Sequence, residues 1–75
     1  MEIKVYTRPA CPQCTATCRT LERQGIDYRL IDLEQNPEAR DRVMALGHRQ
    51  LPVVVAGDEH WSGFRPDRLG ALTPA

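Results

Sequence analysis

A chain of 75 residues makes one small domain that buries only about 60% of its unfolded surface, so it requires an economical fold. Ten basic residues balance ten acidic ones, which argues against a nucleic-acid groove or an anionic membrane surface as partner, and no apolar run is long enough to span a bilayer. Three cysteines, Cys11, Cys14 and Cys18, lie too close together to staple a fold, and the first residues read as a strand rather than a leader peptide. The expectation is a cytoplasmic monomer, one domain over 1–75, in which cysteines do chemistry.

Ile3 and Val5 alternate with Lys4 and Tyr6, predicting a short strand with one better-buried face. Cys14 to Gln24 holds no Gly or Pro, carries Cys14, Thr17, Cys18 and Leu21 at helical spacing, and stops at Gly25. Tyr28 to Leu33 reads as a second strand with Tyr28, Leu30 and Leu33 facing one way. Asn36-Pro37-Glu38 is a helix start, with a capping side chain, a proline at the first position and an acid in the first turn. That helix presents Ala39, Val43 and Leu46 and ends at Gly47.

Leu51 to Ala56 is the most continuous apolar run and predicts a strand buried on both faces. Gly57-Asp58 turns the chain, and Glu59-His60-Trp61 returns as an edge strand. Pro66 opens a last short helix with Leu69 and Leu72, and residues 72–75 read as a frayed end. The order is β-α-β-α-β-β-α. A right-handed crossover makes the first two strands parallel, and the hairpin makes the sheet mixed. The predicted class is α/β: a four-stranded mixed sheet flanked by three helices, the minimal thioredoxin/glutaredoxin fold.

The chemistry centres on Cys11-Pro12-Gln13-Cys14, where the first strand hands over to a helix. A C-x-x-C pair at such a junction is a thioredoxin-like redox motif. The unpaired N–H groups and dipole of the helix start favour a thiolate at Cys11, making it the nucleophile candidate. Cys14, about one turn later, resolves the mixed disulfide, and Pro12 stiffens the turn without wasting a backbone donor. A zinc site would have to join these cysteines and Cys18 to His48 or His60, with no second pair present. The expectation is therefore no metal and no cofactor beyond the Cys11–Cys14 disulfide.

Cys18, four residues after Cys14, reads as a small side chain at the margin of the helix–sheet interface. The turn His48-Arg49-Gln50-Leu51 would lie beside the cysteines, followed by Pro52 at an X-Pro bond, where a cis peptide costs little. Trp61-Ser62-Gly63-Phe64 sets two large aromatics at the expected rim, suited to a contact surface or to finishing a small core. His48 and His60 read as solvent-facing loop and turn residues.

Three stretches, Val5-Tyr6-Thr7-Arg8-Pro9-Ala10-Cys11-x-Gln13-Cys14-x-Ala16-Thr17, Arg49-Gln50-Leu51-Pro52-Val53-Val54 and Trp61-Ser62-Gly63-Phe64-Arg65-Pro66-Asp67, together resemble the NrdH-redoxins. The resemblance covers nearly the whole chain. It implies reduction by thioredoxin reductase rather than glutathione. It also implies that the electrons go to the active-site disulfide of the large subunit of class Ib ribonucleotide reductase. By the same resemblance Cys11 is the nucleophile, Cys14 the resolver and Pro52 a cis-proline. Arg8, Pro12, Gln13, Leu51 and Pro52, with Trp61, Ser62, Gly63 and Phe64, form the partner-binding rim, and the last four fill what is a glutathione groove in glutaredoxins. Pro12 departs from the non-proline usual in that family, and C-P-x-C is the glutaredoxin form. It keeps open the alternative of a glutaredoxin or mycoredoxin reduced by a low-molecular-weight thiol.

Overall fold

The computed structural model describes residues 2–73; of the end expected to fray, Pro74 and Ala75 lie outside the described residues. Strand β1 (Ile3–Thr7) takes the central role that its apolar content dictates. It pairs in parallel with β2 (Arg29–Asp32), Val5 opposite Leu30, and antiparallel with β3 (Val53–Ala56), Val5 opposite Val54. β3 in turn pairs antiparallel with β4 (Glu59–Ser62), giving the sheet order β2-β1-β3-β4. Helices α1 (Pro12–Arg23), α2 (Pro37–Ala45) and α3 (Pro66–Gly70) complete the predicted mixed architecture.

The sheet divides the core in two. Ile3, Val5, Val54, Ala56 and Trp61 pack with Leu21 of α1 and Leu69 of α3, while Tyr6 and Val53 pack with Leu33 and with Ala39 and Val43 of α2. β1 is thus covered on both faces, where its alternation had suggested one better-buried face, because it lies inside the sheet with helices on either side. Three side chains depart from the pattern read in the sequence. Leu30 is 56% exposed because β2 is an edge strand, and Leu33, beyond the end of β2, packs on the α2 side rather than with Tyr28. Leu46 caps the end of α2 and is exposed. Leu72 packs against the α1 side of the core and its N–H reaches the Leu69 carbonyl at 3.1 Å.

Helix ends follow from local sequence. α1 begins at Pro12, earlier than the spacing alone indicated, because proline at the first position needs no N–H partner. It ends in a Schellman motif: the Ile26 N–H reaches the Leu21 carbonyl at 2.9 Å and the Gly25 N–H reaches Glu22 at 3.1 Å, with Gly25 left-handed at φ 73°. α2 closes in the same way, with Gly47 N–H to Met44 at 2.9 Å and His48 N–H to Val43 at 3.3 Å. Its expected cap differs, since the Asn36 amide makes no capping bond and instead donates back to the Asp32 carbonyl at 3.0 Å.

A Cβ added at Gly25 would meet nothing within 4 Å, so Gly25→Ala isolates the backbone cost of the left-handed residue, about 1 kcal/mol. Thermal unfolding should show this as a fall in Tm of about 4–8 °C for a domain of this size.

Candidate active site

The end of β1 and the start of α1 build the site. After Thr7 the chain turns through Ala10, whose φ of 57° places a non-glycine residue in the left-handed region immediately before the first cysteine. Cys11 then sits at the N-cap of α1 with extended backbone angles (φ −115°, ψ 100°), and its sulfur accepts the Cys14 N–H at 3.3 Å. Its carbonyl accepts the Thr15 N–H at 3.1 Å and the Thr15 hydroxyl at 3.3 Å. Cys11 and Cys14 form a disulfide with Cα atoms 5.2 Å apart. Cys11 is half-buried, whereas Cys14 is only 4% exposed, so an incoming thiolate meets the Cys11 sulfur first. In the dithiol form the same N–H and the helix dipole favour a thiolate at Cys11.

Two further segments close on this sulfur. The Leu51 carbonyl oxygen lies 4.0 Å from Cys11 Sγ, and the Leu51–Pro52 peptide is cis. The buried Pro52 accepts the Gly63 N–H at 2.8 Å, and Gln13 Oε1 accepts the Phe64 N–H at 3.1 Å. Segments 11–14, 51–52 and 63–64 are therefore joined by main-chain donors. Gly63 has φ 81°, and a Cβ there would come within 3.4 Å of Gln13 Oε1.

The other expected site residues fall around this junction. Arg8, Gln13, Arg49, Gln50 and Leu51 line a cavity of about 380 Å³ with Cys11, so the turn before Pro52 does lie beside the cysteine. Pro12 and Gln13 are exposed, Ser62 is half-buried and Gly63 is buried. The two aromatics part company: Phe64 is 37% exposed, while Trp61 is 4% exposed. Trp61 belongs to the core, not the rim, because its place opposite Val54 turns the indole toward α1 and α3. Among the described residues its Nε1 meets no hydrogen-bond partner. The Arg68 guanidinium stands 5.4 Å from the ring centroid, in range of a cation–π contact.

On the other flank of the disulfide a groove of about 730 Å³ is lined by Cys11, Cys18, Arg19, Tyr28 and Leu30. Sequence reasoning set Leu30 on one face with Tyr28 and Leu33 but did not connect that face to the cysteines, and so missed this groove. The Tyr28 hydroxyl donates to Glu22 at 2.6 Å, and burial together with that carboxylate pushes its pKa well up. Cys18 is half-buried against the core. At the start of α3, Arg65 makes a paired contact with Asp67 at 2.9 and 3.2 Å, and its hydrogen bond holds the Asp67 carboxyl below its ordinary range. Sequence reasoning also missed that His48 Nε2 and His60 Nδ1 meet at 2.7 Å. Nothing in their separation along the chain signals this. Among the described residues, no group of three or more His, Cys, Asp or Glu is placed to hold a metal ion, and no helix is long and apolar enough to cross a membrane.

A cysteine pair at a helix start, beside a cis X-Pro bond on a four-stranded mixed sheet, defines a thiol–disulfide oxidoreductase of thioredoxin-like fold. The family model for glutaredoxin matches residues 3–61. The glutaredoxin-like protein NrdH of Escherichia coli strain K12 is 52% identical over 75 residues, covering 100% of this chain and 93% of that protein. Its counterpart in Lactococcus lactis subsp. cremoris is 33% identical over 70 residues, covering 93% and 97%. The solved structure of the Escherichia coli NrdH-redoxin superposes with a TM-score of 0.95 at 52% identity, covering 100% of this chain and 99% of that one. The chain belongs to the glutaredoxin family, in its NrdH-redoxin branch.

Relieving the left-handed Ala10 by Ala10→Gly should stabilise the fold by about 0.5–1 kcal/mol, after allowing for the extra chain entropy of glycine, read as a raised denaturant midpoint. Trp61→Ala should lower stability by about 3–5 kcal/mol, as expected for a large core side chain. Unchanged stability in that variant, with weakened partner binding alone, would contradict the core placement.

Proposed function

We propose that this protein is a dithiol–disulfide electron carrier, reduced by thioredoxin reductase, that reduces the active-site disulfide in the large subunit of class Ib ribonucleotide reductase. The observation that carries this reading is the likeness, over the whole chain, to the Escherichia coli NrdH-redoxin, whose structure is described as the basis of a thioredoxin-like activity profile. In the reduced protein the Cys11 thiolate attacks one sulfur of the acceptor disulfide, and the other sulfur leaves as a thiolate. Cys14 gives its thiol proton to the acceptor thiolate released in the first step and then attacks Cys11 Sγ. The second acceptor sulfur departs, the acceptor has gained two electrons, and the Cys11–Cys14 disulfide has formed. A reductase dithiol runs the same exchange in the opposite direction. Arg8, Pro12, Gln13, Leu51, Pro52, Ser62, Gly63 and Phe64 form the surface on which both partners dock, with Phe64 as the exposed apolar contact, while Trp61 lies in the core. The carrier works as a monomer in the cytoplasm.

A second reading has its own support. Pro12 gives the motif the glutaredoxin form, and Arg8 and Arg49 line the cavity beside Cys11. Two guanidinium groups suit the carboxylates of a small thiol such as glutathione.

Oxidised protein mixed with NADPH and thioredoxin reductase should consume NADPH. Cys11→Ser and Cys14→Ser both lack the disulfide that takes up the electrons and should abolish this reaction, whereas reduced Cys14→Ser should stall with an acceptor disulfide as a mixed disulfide through Cys11. Failure to turn over, with ready reduction by glutathione or mycothiol, would replace the first reading with the second, in which Cys14→Ser retains activity.

A further inference from the structure

The His48 and His60 rings meet edge to face, with centroids 4.8 Å apart and planes at 82°, and with Nε2 of the first 2.7 Å from Nδ1 of the second. Both are held by ordered backbone. His48 closes the Schellman motif at the end of α2, and His60 lies on β4 in register with Val55. Neither ring lines the cavity beside Cys11 or the groove on the other flank of the disulfide.

A neutral imidazole carries one N–H and one lone pair. In the hydrogen-bonded arrangement one facing nitrogen donates to the other. When the donor ring's proton moves to its other nitrogen, both facing nitrogens present lone pairs, with no net proton released. Two imidazole nitrogens bound to one ion at about 2.0–2.1 Å stand roughly 2.8–3.4 Å apart at square or tetrahedral angles. To admit an ion at those bond lengths the facing nitrogens would separate by less than about 1 Å and each exposed ring would swing by about 35–45° from the nearly in-line arrangement, so that both lone pairs converge on one point. Burial and the neighbouring His60 lower the pKa of His48, which keeps that ring in the neutral, ligating form.

We propose that His48 and His60 form a two-imidazole site for a borderline divalent transition ion of the Zn²⁺, Ni²⁺ and Cu²⁺ class. With no third His, Cys, Asp or Glu converging on the pair among the described residues, water fills the remaining positions, so the site is open and exchangeable rather than a closed structural centre. A bound ion cross-links the segment leading into Leu51–Pro52 to β4.

The test is calorimetric titration of Zn²⁺ into the disulfide form of a Cys18→Ser variant, so that no free thiol competes. One ion should bind per chain. His48→Gln and His60→Gln should each weaken binding by at least about tenfold, since losing even an outer-shell partner of a metal ligand costs 10- to 100-fold. Both variants should keep the parent's reduction rate with the same reductant and its circular dichroism, which shows that they fold. In the parent, Cu²⁺ electron paramagnetic resonance should resolve coupling to two imidazole nitrogens. Absence of saturable Zn²⁺ uptake, retention of affinity by either glutamine variant, or coupling to a single nitrogen would overturn the proposal.

Discussion

Because Cys11 caps α1 with a sulfur where an oxygen usually serves, accepting the Cys14 N–H at 3.3 Å, the atom that starts the helix is also the atom that reacts. The chain arrives there from β1 through a left-handed Ala10, so backbone strain is concentrated one residue from the reactive sulfur. Strain of that kind persists only where the surroundings over-determine it. Here they do: β1 is fixed by pairing on both edges, and α1 is fixed by Leu21 in the core and by the Schellman motif at its far end.

The rest of the rim is assembled by main-chain bonds rather than by side-chain packing. Pro52 receives the Gly63 N–H, and Gln13 receives the Phe64 N–H. Three segments far apart in sequence are thereby brought to one sulfur without a large apolar interface between them. A domain of this size has little such interface to spend, because both halves of its core are already committed to the two faces of the sheet. Trp61 illustrates the allocation, since its indole stabilises the sheet–helix interface and leaves Phe64 to face outward.

Much of this was legible in the sequence. Element order and topology followed from the periodicity of Ile3 to Tyr6, the apolar run ending at Ala56 and the glycine stops at Gly25 and Gly47. The Cys11–Cys14 pair declared itself by spacing and by its place after a strand. Orientation was harder to read. Leu30 could not be told from a core residue because apolarity does not report whether a strand lies at an edge, and Leu46 lay one residue past the end of α2. Trp61 could be assigned inside or outside only once its register opposite Val54 was known. Contacts such as Gln13 to Phe64 and His48 to His60 depend on tertiary proximity between chemically unremarkable neighbours, and no local pattern encodes them.

The unequal burial of the two cysteines makes the site asymmetric in time as well as in space. In the proposed exchange a bulky partner joins through the half-buried Cys11, while Cys14, almost closed to solvent, takes part as the intramolecular attacker. The resolving step therefore has an effective concentration set by one turn of helix and not by the supply of thiols in solution. Under that scheme release of the partner is driven from within the chain, and the carrier lets go of its client without help from a second molecule.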